Sequence, residues 1–196
     1  MDELPLIDAA TSRERADAAR NRERILAAAA ELIAERGIEN VSMDDVARAA
    51  AVGTGTVYRR FGDRAGLALA LLDEQTKAFQ DALISGPPPL GPGAPAVERL
   101  RAFGAGYLDL LEGHAPLLAV AAAPGRVGAG PQQFYLVHLA LLLREAAPSL
   151  DAEFAANALL AVLAPAQHMH ARGGLRWPVE RLRRGWDSFV GALCAG

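Results

Sequence analysis

The stretch Val41-Ser-Met-Asp-Asp-Val-Ala-Arg-Ala-Ala-Ala-Val-Gly-Thr-Gly-Thr-Val-Tyr-Arg-Arg-Phe-Gly-Asp63 decides the fold. Ser42 opens a short helix: its hydroxyl can accept from a free amide of the first turn. Asp44 and Asp45 sit where the helix dipole favours negative charge. Val46, Ala47 and Ala50 give that helix one inner face. Ala51-Val52-Gly53 breaks it, and a second short helix runs from Thr54 to Phe61, with Val57 and Phe61 turned inward. Gly62-Asp63 stops it. Two short helices across a tight Gly-containing turn make a helix-turn-helix arrangement.

Upstream, Ile25, Leu26, Ala29, Leu32 and Ile33 recur at helical spacing, so a bracing helix is expected over residues 20–36. Gly37 supplies its left-handed cap. Residues 1–19 show no apolar periodicity and read as a polar tail or a helical extension starting near Ser12. Downstream, Asp63 is placed to cap a long helix over residues 64–84, followed by a Pro/Gly-rich linker over 85–95. Further helices are expected near 96–112, 116–123, 131–147, 151–171 and 178–193, with Pro165 kinking the fourth. The expected fold is all-α: an N-terminal three-helix unit carrying the helix-turn-helix over 20–66, preceded by the extension 1–19, and a C-terminal helical domain over 67–196, which the family resemblance given below makes a ligand-binding and dimerisation domain.

Composition supports helices: the chain is 52% hydrophobic and rich in Ala and Leu. Apolar stretches such as 136–143 carry His138 and stop at Arg144, short of a membrane span. Asp2, Glu3, Pro5 and Asp8 do not make a signal peptide, and a cytoplasmic protein is expected. The single cysteine, Cys194, excludes an internal disulfide and a cysteine-based zinc site. His168 and His170, two apart, would point about 200° apart on a helix and cannot pair on a metal. With no HExxH, Gly-x-Ser-x-Gly or P-loop pattern, no enzyme, catalytic residue, metal or cofactor is expected.

The net charge of −3 conceals local basicity. Arg48, Arg59, Arg60 and Arg64 face only Asp63 within their stretch, and Arg13, Arg15, Arg20, Arg22 and Arg24 outnumber Glu14, Asp17 and Glu23. The first three of these could form a minor-groove arm or a solvated tail.

Arg22-Glu-Arg-Ile-Leu-Ala-Ala-Ala, Leu32-Ile-Ala-Glu-Arg-Gly, Val41-Ser-Met-Asp-Asp-Val-Ala, Val52-Gly-Thr-Gly-Thr-Val-Tyr-Arg-Arg-Phe and Arg64-Ala-Gly-Leu together resemble the N-terminal domain of the tetracycline-repressor (TetR) family. The later chain resembles that family in layout only. The resemblance implies about nine helices and a homodimer that sets two recognition helices in successive major grooves of a palindromic double-stranded operator. It also implies repression relieved by a small-molecule effector.

Carried over by position, the expected DNA contacts are Ser42, Thr54, Gly55, Thr56, Tyr58, Arg59, Arg60 and Arg64. Thr54 and Thr56 lie at the end of the recognition helix that points at base edges, and Gly55 allows close backbone approach. Tyr58 can bond a phosphate, and Arg59 or Arg60 can grip a guanine or hold phosphates. Arg64 and its helix N-terminus suit a phosphate. Arg60 stands where the family often has His, and Arg64 where Lys is common, so the base sequence read is not inherited.

On helices that surround the family's effector pocket, the candidates are Phe103, Tyr107, Phe134, His138 and His168, with Tyr135 and Gln167 beside them. Few charges fall among them, which favours a neutral or lipophilic effector. Glu112, Arg144 and Glu145 read as solvent-facing. The family's four-helix dimer bundle would draw on Ala158, Leu182, Trp186 and Phe189. Two rival readings are a ligand- or partner-binding dimer with a vestigial DNA domain, and a sequence-tolerant DNA binder with no effector.

Overall fold

The computed structural model describes residues 9–121 and 131–195, with side chains from residue 17 onward. Readings that fall on residues 1–8 and 122–130 lie outside the described residues. All regular structure in the described residues is helical, and none of their helices is long and apolar enough to cross a membrane. The chain divides into two compact units between Leu71 and Leu72.

The first unit comprises α1 (Ala9–Arg36), a single 3-10 turn (Ile38–Asn40), α2 (Met43–Ala49), α3 (Thr54–Phe61) and α4 (Arg64–Leu71). Its core gathers Ile25, Ala29, Val46, Val57, Phe61 and Leu67, all buried. The first helix begins well before residue 20, as in the helical-extension reading. Ala- and Arg-rich sequence has high helix propensity, so the helix propagates past the stripe that packs. Gly37 takes φ +76°, which only glycine adopts cheaply.

The turn between α2 and α3 differs from expectation. Its left-handed residue is Ala51, at φ +50°, while Gly53 is extended (φ −68°, ψ 138°) and caps α3. The Val52 amide donates to the Ala47 carbonyl at 3.0 Å and the Ala51 amide to the Arg48 carbonyl at 3.2 Å. This is a Schellman cap with alanine where glycine is usual. Ala51→Gly is therefore expected to stabilise the first unit by about 1 kcal/mol, the left-handed penalty outweighing the glycine's extra unfolded-state entropy. Urea unfolding followed by circular dichroism checks it, and a lower midpoint would contradict the strain at Ala51.

The expected long helix over 64–84 is interrupted. It ends at Leu71, and α5 (Asp73–Ser85) starts afresh after Leu72. Asp73 and Glu74 are the reason in sequence: acids favour the first turn of a new helix. Thr76 adds to the restart, its hydroxyl donating to the Leu72 carbonyl at 2.8 Å.

The second unit continues with α6 (Ala96–Ala121), α7 (Pro131–Ala146), α8 (Ala152–Val162), α9 (Pro165–Met169), a π turn (His170–Gly174) and α10 (Val179–Leu193). Helices α7, α9 and α10 pack against α6, and α8 packs on α7. Phe103, Leu111, Leu139, Leu143 and Leu159 fill the middle with essentially no exposure. Two expectations are corrected. Residues 96–121 form one helix that runs through Pro116, because Ala115 and Leu118 are locked in the core on either side of the lost hydrogen bond. The helix expected over 151–171 does not merely kink but breaks at Leu163-Ala164, and Pro165 starts the next one, where its missing amide is harmless.

Candidate functional site

Helix α3 is eight residues long and strongly two-sided. Val57, fully buried, and Phe61 anchor it in the core of the first unit, while Thr54, Gly55, Tyr58, Arg59 and Arg60 are exposed and Thr56 is partly so. Tyr58 is 49% exposed. A Cβ placed on Gly55 would meet nothing within 4 Å. The structure thus brings six of the eight expected DNA contacts onto one short helix.

The charged groups around that face are positioned by local bonds. The Arg59 guanidinium donates to Thr56 Oγ1 at 3.3 Å, Arg60 donates to the Ala18 carbonyl of α1, and Arg64 donates to the Glu39 carbonyl at 3.3 Å. Ser42 is exposed but already occupied in a capping box. Its hydroxyl accepts from the Asp45 amide at 3.1 Å and donates to Asp45 Oδ2, and its own amide donates to that oxygen at 3.1 Å. These bonds, with Arg48 at 3.0 Å, hold the Asp45 carboxyl below its usual range. The N-terminus of α4 is also taken: Asp63 Oδ1 accepts the Gly66 amide at 2.7 Å. A phosphate there would meet a carboxylate, so of that expected site the Arg64 side chain is what remains, exposed and bonded to the Glu39 carbonyl. Arg13 and Arg15 lie in α1 with side chains outside the described residues, and Arg20 pairs with Asp17.

In the second unit, four of the five expected effector residues meet in one aromatic cluster. Phe103 lies 5.8 Å from Tyr107 and 6.2 Å from His138 between ring centroids, and Phe134 stacks on His138 at 6.1 Å. Tyr135 closes the group, and so does Phe79, 5.6 Å from Phe103. Phe79 was not anticipated, although its position three after Thr76 and four before Leu83 puts it on the buried side of α5. Tyr135 Oη and His138 Nε2 are buried without a hydrogen-bond partner among the described residues. Burial and the nearby Arg99 cation lower the His138 pKa to about 4, so its ring is neutral at neutral pH. Burial pushes the Tyr107 hydroxyl up to about 12.

His168 belongs elsewhere. It is buried on α9 and its Nε2 lies 2.9 Å from Glu112 Oε1. Glu112 is exposed as expected, and it also takes both ends of the Arg172 guanidinium, at 2.7 and 3.0 Å. Arg144 is exposed as expected but pairs with Glu153 at 2.6 Å. Beside His168, between α6, the end of α8, the π turn and α10, lies a half-open cavity of about 780 Å³. Among the described residues, no group of three or more His, Cys, Asp or Glu is placed to hold a metal ion.

Of the expected dimer residues, Trp186 is corrected. It is 2% exposed inside its own unit, donates from Nε1 to the Leu100 carbonyl at 3.0 Å, and lies directly over Gly104. An indole used this way is not available to a second chain. Leu182 is half-buried, Ala158 partly exposed, and Phe189 exposed. The surface adds Phe154 on α8, 75% exposed, which the sequence reading passed over.

Residues 25–71 match the family model described as bacterial regulatory proteins, tetR family. A curated HTH-type transcriptional regulator of Staphylococcus aureus is 38% identical over 65 residues, which make up 33% of this chain and 35% of the regulator. The match thus spans about a third of that relative's length. Among solved structures, AibR in complex with isovaleryl coenzyme A and operator DNA superposes with a TM-score of 0.61 at 22% identity, covering 89% of this chain and 98% of the other. The transcriptional regulator FadR of Bacillus subtilis, in complex with stearoyl-CoA, gives 0.61 at 21% identity, with 86% and 96% covered. At these identities the likeness is one of fold.

Proposed function

We propose, from the match of residues 25–71 to the model of bacterial regulatory proteins of the tetR family, that the chain is a cytoplasmic, homodimeric, sequence-specific DNA-binding regulator. In this reading it is a repressor that a small-molecule effector releases from a palindromic operator. The observation that carries it is α3: an eight-residue helix pinned from behind by Val57 and Phe61, with Thr54, Gly55, Tyr58, Arg59 and Arg60 all turned outward. A helix with such an exposed outer face suits the major groove, where N-terminal residues read base edges and arginines bind guanines or phosphates.

Effector binding is placed in the second unit. The partnerless Tyr135 Oη and His138 Nε2 support it, since buried polar atoms in native folds are normally paired. Dimerisation is assigned to the exposed side of α8 and α10, where Phe154, Ala158 and Phe189 offer apolar surface. Two copies related by a two-fold axis would then read half-sites about one helical turn apart.

Selection of binding sites from random duplex DNA by the purified protein tests this. An enriched palindrome is expected, and Arg60→Ala should weaken its binding by about 1–3 kcal/mol in gel shifts at fixed salt. Enrichment of no sequence, with affinity tracking salt alone, would refute specific recognition.

A further inference from the structure

The half-open cavity beside His168 has Val162 and Phe189 in its lining, on the α8–α10 face given to the second copy. The place left for a small molecule is the aromatic cluster between α5, α6 and α7. Four polar atoms are buried on these helices without a hydrogen-bond partner among the described residues: Gln75 Oε1, Arg99 Nε, Tyr135 Oη and His138 Nε2. Tyr135 is itself part of the cluster, and the other three stand one helical turn from a ring of it. Gln75 precedes Phe79 by four residues, Arg99 precedes Phe103 by four, and His138 follows Phe134 by four, so each pair shares a helix face. Native folds rarely strand one buried polar atom, and four around one set of rings call for a partner from outside.

Arg99 sets the charge of that partner. Its guanidinium donates to the Leu83 carbonyl in the last turn of α5 at 3.2 Å, and it forms no ion pair among the described residues. The acids nearest to this bond in sequence, Asp81 and Glu98, are exposed. A partly buried cation beside apolar rings is costly without a counter-ion, and a bound anion would remove that cost. The neighbouring His138 ring is neutral and can present its one N–H to an oxygen. That ring lies between two others in stacked orientation, Phe103 at 6.2 Å and Phe134 at 6.1 Å, an arrangement whose faces suit a flat body. The cluster is not sealed: Gln75, Phe79, Arg99, Phe134 and His138 all keep partial exposure.

We propose that the cluster binds an aromatic carboxylate, its charged group between Arg99 and His138, its flat body against Phe79, Phe103 and Phe134, and the Tyr135 hydroxyl as a third polar contact. The proposal names the chemical class of the effector and rests on the regulator reading for its consequence at DNA. It replaces the neutral effector expected from sequence, because Arg99 lies outside the residues from which that expectation was drawn.

Isothermal titration of the full chain, without DNA, compares 2-naphthoate with 2-naphthamide, which keeps the rings and lacks the charge. The parent is expected to bind naphthoate saturably and at least about tenfold tighter than naphthamide. Arg99→Gln should weaken naphthoate about tenfold or more, the scale of losing a charge-assisted hydrogen bond, and leave naphthamide within about twofold. Arg99→Lys, which keeps the charge, should restore part of the loss. Tyr135→Phe is expected to weaken naphthoate about fivefold at an unfolding temperature no lower than the parent's, since the hydroxyl it removes has no partner in the described protein. It carries the test should Arg99→Gln not fold. No saturable naphthoate binding, equal affinity for the two probes, or naphthoate binding that survives both Arg99→Gln and Tyr135→Phe would overturn the proposal. Tighter binding of naphthamide would overturn the anion and leave an effector pocket standing. Because no operator is present, failure here is read separately from failure of DNA recognition.

Discussion

Gly104→Leu is expected to destabilise the C-terminal unit by about 4 kcal/mol, enough to unfold much of it, since whole domains hold only about 5–15 kcal/mol. A Cβ on Gly104 would lie 2.1 Å from the Trp186 ring, a distance no pair of atoms tolerates. Trp186 cannot move aside cheaply. It is buried against Phe103 at 6.4 Å, and its indole donates to the Leu100 carbonyl, which would be left without that partner. The loss is thus that of a buried tryptophan plus a buried hydrogen bond. The control is Gly113→Ala on the same helix, where a Cβ meets nothing within 4 Å and helix propensity favours alanine by about 1 kcal/mol. Emission of Trp186 in a Trp177→Phe background reports the outcome, red-shifted for the first variant and unchanged for the second. A stable Gly104→Leu protein with blue emission would contradict the packing described.

Gly55→Leu is expected to leave the fold intact and remove operator binding. The added side chain has open space around it, and leucine is a better helix former than glycine by about 0.8 kcal/mol, so thermal stability should hold or rise. Nothing inside the protomer explains a glycine there. The explanation offered lies outside: an isobutyl group on the exposed face would hold the helix off the groove floor and loosen every contact made by Thr54, Thr56 and Arg59 at once. Losing two or more such contacts lowers affinity by about a hundredfold or more, measured by gel shift on the selected operator. Full affinity in a folded variant would mean that this face does not dock on DNA.

The first unit was legible because its signals are local. Ser42 capping, the apolar stripe of α1 and the Val57/Phe61 spacing each need only a few neighbouring residues to be read, and α3 falls on Thr54–Phe61 as expected. Ala51 was not legible, since its φ reflects the closing of a cap that glycine would ordinarily supply. In the second unit, helix existence was readable and helix continuity was not. Pro116 and Pro165 carry the same local rule, yet one is overruled by core packing on both sides and the other begins a helix. Site residues there depended on contacts between distant positions. The Glu112–His168–Arg172 network joins residues up to 60 apart, and the side of α10 that takes Trp186 inward leaves Arg181 and Arg184 outward. An amphipathic stripe alone does not say which neighbour it meets.

Because the buried residues of α3 are Val57 and Phe61, its outer positions, apart from Arg60 with its bond to the Ala18 carbonyl of α1, are nearly uncoupled from the stability of the first unit. If α3 docks on DNA as proposed, substitutions at Thr54, Tyr58 or Arg59 would alter what the helix reads without touching the buried residues that hold it. Over generations, such a protein can exchange one target sequence for another through single viable steps, keeping its scaffold while its regulatory connections are rewired.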